Sequence, residues 1–83
     1  MDNYEMSPKI KSFCKELGVP VRVRSVFAGR ISNAITVDPA NSGDWNKVVP
    51  ALKRFAKANA PDAIVYQSDY NDRIMFEYPA KPR

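Results

Sequence analysis

Apolar side chains recur at Ile10, Phe13, Cys14 and Leu17, the i, i+3, i+4, i+7 spacing that lines one face of a helix. Lys9, Lys11, Lys15 and Glu16 fall on the other side. Ser7-Pro8 reads as the helix start, with Ser7 as N-cap and Pro8 at the first helical position, where a missing N–H costs nothing. Gly18 supplies the residue that ends such a helix in the left-handed conformation. The period then changes to two. Val19, Val21 and Val23 alternate with Pro20, Arg22 and Arg24, which predicts a strand whose proline suits a sheet edge. Val26-Phe27-Ala28-Gly29 is predicted to turn the chain, and Ile31, Asn33, Ile35 and Val37 to line the buried side of a second strand. Residues 38–43 are loop by composition.

Trp45, Val48, Leu52, Phe55 and Ala56 return to helical spacing. Pro50 lies inside that run and removes a hydrogen bond, so the expectation is one helix over about 44–59 with an irregular first turn. A helix beginning only at Pro50 is the alternative. Ala60-Pro61-Asp62 ends it, because a residue before proline avoids the helical region. Strands over 63–68 and 73–78 flank a turn at Asp69-Tyr70-Asn71-Asp72.

The order αββαββ predicts a single α+β domain, a two-layer sandwich with two helices on one face of a four-stranded, mainly antiparallel sheet. Residues 7–78 form its ordered core, with 1–6 and 79–83 as flexible ends. Moving the first strand of a ferredoxin-like sandwich, βαββαβ, to the C-terminus yields this order, and the sheet would then run third, fourth, second, first. A continuous meander is the other arrangement compatible with the pattern. In either, Ile10, Phe13, Leu17, Val21, Val23, Ile35, Leu52, Phe55, Ile64 and Phe76 are expected to share one core.

Composition narrows the chemistry. The 83 residues carry 13 Lys+Arg against 9 Asp+Glu, a net charge of +4, with no histidine and one cysteine. An internal disulfide, a Cys/His zinc site and any histidine-based triad are thereby excluded. No apolar run approaches the roughly 20 residues that cross a bilayer, and Asp2 and Glu5 stand where a signal peptide would be basic. The expected setting is the cytoplasm of a bacterial host, with a reduced thiol and no membrane partner. Cys14, between Phe13 and Leu17, reads as a small buried hydrophobe. Asp69, Asn71 and Asp72 offer too few oxygens for a calcium site and suit a turn. Neither Gly29 nor Gly43 belongs to a phosphate-binding loop. No catalytic residue, metal or cofactor is assigned.

VRVRSVFAGRISNAITVD, with Ile31, Ile35 and Val37 at I-x-x-x-I-x-V spacing, and Asp69-Tyr70 with Asp72 before the last strand resemble small domains associated with large polyvalent proteins of phages and conjugative elements. The likeness spans residues 10–78. It implies a mobile-element origin and a non-catalytic accessory role, and it supplies no site residues.

Two surfaces remain as candidates. Alternation puts Arg22, Arg24, Arg30 and Arg73 on the sheet face opposite the helices, with Ser32, Thr36, Met75 and Glu77 among them and no aromatic side chain. Arginine presents a planar fork and is enriched at interfaces, and Phe27 and Tyr70 add loop aromatics. An exposed sheet decorated with arginine, paired in part with Glu77, is the plainer account of the same residues. The expected function is binding of a host protein or nucleoprotein complex, such as an anti-defence role against a CRISPR effector. The alternative is a small basic nucleic-acid-binding domain, with Lys47, Lys53, Arg54 and Lys57 of the second helix meeting phosphates. A solvated helix face also explains those four. Whether the chain forms a homodimer is left open.

Overall fold

In a computed structural model, which describes residues 3–29, 31–68 and 73–79, the elements follow in the order αββαββ. Helix α1 (Asn3–Leu17) leads into the hairpin β1 (Val21–Ala28) and β2 (Ser32–Pro39). A 3₁₀ turn (Ser42–Asp44) opens helix α2 (Trp45–Asn59), and β3 (Ile64–Gln67) and β4 (Ile74–Pro79) complete the described elements. No helix of the described residues is long and apolar enough to cross a membrane.

Helix α1 begins at Asn3, more than a turn before the expected start at Pro8, so Ser7 is not its N-cap and Pro8 lies inside it. The chain tolerates this because Asn3 and Met6 are buried, and their packing outweighs the bond that Pro8 removes from the Tyr4 carbonyl. Asn3 and Met6, in a segment expected to fray, are thus buried, while Tyr4 and Glu5 face solvent. At the other end Gly18, at φ 81°, closes the helix as anticipated. Its N–H donates to Lys15 O and that of Val19 to Cys14 O, each at 3.1 Å, the pair of bonds of a Schellman cap. Helix α2 runs through Pro50 after its 3₁₀ first turn, as one helix.

The sheet is antiparallel throughout with strand order β1-β2-β4-β3, which excludes the meander and is the order that the permuted sandwich requires. Both helices cover the same face. Met6, Ile10 and Cys14 of α1 and Val48, Leu52, Phe55 and Ala56 of α2 meet Ile35, Val37, Val65, Ile74, Phe76 and Tyr78 in one cluster. Phe13, Leu17, Val21 and Val23, expected in the core, are half-buried at its margin. An aromatic chain crosses it, with ring centroids of Phe13 and Phe55 5.1 Å apart, Phe55 and Phe76 6.2 Å, and Phe76 and Tyr78 5.8 Å.

Three expectations for the strands are corrected. Residues 26–28 belong to β1 and do not turn the chain; Gly29 closes the hairpin by donating to Ser32 O at 2.9 Å. Ile31 precedes β2 and is 87% exposed, since the buried face begins only at Asn33. Ile64 faces solvent at 61% exposure and Val65 takes the core position, opposite Phe76. A one-residue change of phase exchanges the faces of a strand, and 63–66 is an unbroken apolar run that sets no phase of its own.

Candidate protein-docking face of the sheet

The face turned away from the helices is built from two cross-strand rows. Arg24, Thr36, Met75 and Tyr66 face one another across the four strands, and Phe27, Ala34, Glu77 and Ile64 do so in the adjacent row. Arg22 pairs with Asp38 beyond them. Small residues occupy the β2 positions, so Ala34 and Thr36 lie buried between longer neighbours. The centre of the face thus presents the short side chains of β2, flanked by the longer ones of β1 and β4.

A bulge puts Phe27 there. Ser25 pairs with Ile35 but Phe27 pairs with Ala34, so Val26 is an extra residue in β1. The extra residue reverses the alternation, and Phe27, which would otherwise share the helix-side face with Ser25, turns to the open one. Phe27 is therefore a strand residue, 56% exposed, and not part of a loop. On the far edge the Tyr66 hydroxyl donates to Glu77 Oε1 at 2.9 Å. That bond, followed by desolvation and the negative charge of Glu77, pushes the phenol above its ordinary value.

Of the sequence-derived residues, Arg22 and Arg24 are exposed on this face as expected, because Val21 and Val23 turn the other way toward the core. Arg73 is half-buried immediately before β4, and its carbonyl accepts the Ser68 N–H at 2.7 Å. Arg30 and Tyr70, with Asp69, Asn71 and Asp72, lie outside the described residues. The face was expected to lack aromatic side chains. It carries Phe27 on the β1 edge and Ile64 and Tyr66 on the β3 edge. Sequence reasoning named Phe27 but placed it in a loop, and it missed Ile64 and Tyr66, for one reason: bulges and strand phase are decided by cross-strand pairing. The hairpin pairing of Gln67 with Ile74 is the signal that would have corrected β3, because it ties the phase of β3 to the clear alternation of β4.

Lys47, Lys53, Arg54 and Lys57 are all exposed on α2, in the layer opposite the open sheet face. The Cys14 thiol is fully buried, and burial pushes its pKa up. No three His, Cys, Asp or Glu side chains come together as a metal-holding group among the described residues. A concavity of about 590 Å³ at the end of β1 and β2 brings Arg22, Asp38 and Trp45 together. It holds an acid and a cation but no nucleophile beside a base. No family model, curated protein or solved structure matches the chain.

Proposed function

We propose that the chain is a non-catalytic binding module that docks on a protein through the open face of its sheet. The observation that carries this reading is the exposure of Phe27, Ile64 and Tyr66, at 56%, 61% and 39%, along the two edge strands of that face. Large apolar side chains left in water on a sheet cost solubility and invite association, and interfaces concentrate aromatic residues and arginine. Arg22 and Arg24 stand on β1 with Phe27, on a strand backbone that is already ordered, so presenting their guanidinium groups loses little freedom on binding. The partner surface that fits is apolar where it meets Phe27, Ile64 and Tyr66 and carries carboxylates opposite Arg22 and Arg24. In the mobile-element setting that the sequence resemblance implies, that partner is a host protein or nucleoprotein complex in the bacterial cytoplasm. Blocking a host defence complex, such as a CRISPR effector, is the activity to test.

The test is affinity capture from bacterial lysate with and without nuclease, using the wild-type chain, Ile64→Asp, Arg22→Glu/Arg24→Glu and Lys53→Glu/Lys57→Glu. A protein retained by the wild type and the α2 variant, and lost with both sheet-face variants, supports the reading. Retention by the sheet-face variants overturns it. Light scattering that finds two chains per particle in the wild type and one in Ile64→Asp would reassign the face to self-association.

A further inference from the structure

We infer that the outer face of α2 is a second binding surface, which contacts the phosphate backbone of nucleic acid. Lys47, Lys53, Arg54 and Lys57 are four of the chain's 13 cations, which leaves nine against its nine carboxylates. The whole net charge of +4 therefore equals the charge of this one helix. All four side chains are exposed and α2 itself contains no acidic residue, although Glu16 of α1 lines a groove with Arg54. At 100° per residue they fall within one arc of about 120°, on the side away from Val48, Leu52, Phe55 and Ala56. Lys53 and Lys57 are four residues apart, a spacing at which like charges destabilise a helix and opposite charges support it. Helix α1 shows the usual mixture, with Glu5 four residues before Lys9.

The residue types separate phosphate from protein as the ligand. Three of the four cations are lysines, which protein interfaces deplete, and the arc holds no aromatic side chain to anchor a protein partner. Its other members, Asn46 and Pro50, are exposed and compact, so a rigid polyanion can approach the helix closely. A duplex presents one negative charge per about 1.7 Å of its axis, a field dense enough to engage four mobile cations along a helix without base recognition. The sheet face has the opposite character, with arginine, aromatics and the acids Asp38 and Glu77. Because the two surfaces lie on opposite layers, one molecule can hold both at once.

Fluorescence anisotropy with a labelled duplex of about 20 base pairs tests the inference independently of any protein partner. Four phosphate contacts predict a slope of log K against log salt of about −3 to −4, so binding weakens roughly 100-fold between about 50 and 200 mM salt. Lys53→Glu/Lys57→Glu should bind at least about tenfold more weakly with a slope about 2 shallower, while Arg22→Glu/Arg24→Glu stays within about twofold of wild type. Circular dichroism confirms that each variant is folded. A wild-type slope near zero, no binding at about 50 mM salt, or equal losses in the two double variants overturns the inference. Displacement of the duplex by polyglutamate at equal charge concentration also overturns it and assigns the face to an acidic protein segment.

Discussion

The hydroxyl of Tyr78 donates to Oδ1 of Asn3, joining the first turn of α1 to the last strand across a separation of 75 residues. The Asn3 amide nitrogen reaches Ser25 Oγ at 2.6 Å, Phe27 O at 2.8 Å and Ala34 O at 3.3 Å. One buried side chain thus meets β1, β2 and β4 beside the bulge that turns Phe27 outward. Tyr78→Phe should destabilise the fold by about 1–3 kcal/mol, since it strands a buried carbonyl oxygen, and Asn3→Ala by a similar amount. In urea unfolding the double variant should lose less than the sum of the two singles, with a coupling of about 0.5–3 kcal/mol. Additive losses would mean that the two side chains do not share a network.

How far the sequence leads is clearest at this end of the molecule. The stripe of Ile10 and Cys14 and the Gly18 cap were legible because helix periodicity and C-caps are local. Asn3 was not, because Ser7-Pro8 is a good local start and only contacts with β1 and β4 reward the extra turn. The same division holds in the strands. Ile74, Phe76 and Tyr78 alternate cleanly and take the core face, whereas the bulge at Val26 and the phase of β3 follow from pairing between distant segments. Of the docking face, Arg22 and Arg24 could be read from the alternation of β1 and Phe27 could be named, but its place in the strand and the outward turn of Ile64 and Tyr66 could not.

The aromatic chain predicts a graded series. Phe55 packs between Phe13 and Phe76 with its ring tilted to both, so Phe55→Ala should cost about 3–5 kcal/mol, most of the stability of so small a domain. Phe13 touches the same ring from the half-buried margin, and Phe13→Ala should cost less, about 1–3 kcal/mol. At roughly 4–8 °C in Tm per kcal/mol, calorimetry resolves the two. A larger loss at Phe13 would contradict the packing order.

Cys14 gives a pH dependence of known sign. Burial raises its pKa above the ordinary 9.0, so the unfolded thiol ionises before the folded one. Its contribution is complete below pH 9.0 and declines as pH rises through the window between the two values. The stability advantage of wild type over Cys14→Ala should therefore shrink between about pH 7.5 and pH 10 in urea titrations. A thiol probe should label the native protein slowly and the unfolded chain fast. A gap independent of pH, or rapid native labelling, would place the thiol in contact with water.

The phase of β3 decides whether the docking face is apolar at its far edge, and neighbouring substitutions to one residue can settle it. Threonine keeps β-branching and strand propensity at either position, and Ile64→Thr removes the more carbon, so a larger loss at Val65→Thr reports the face that receives the hydroxyl. Ile64 is 61% exposed, and Ile64→Thr should change stability by no more than about 0.5 kcal/mol. Val65 is buried opposite Phe76, and Val65→Thr should cost about 1–3 kcal/mol because the hydroxyl enters the core without a partner. Partner capture should respond in the reverse sense. Ile64→Thr removes an apolar anchor from the open face and should weaken capture, while any Val65→Thr protein that remains folded should bind as wild type does. Losses of stability in the opposite order would put Val65 on the open face and remove Ile64 and Tyr66 from the proposed interface.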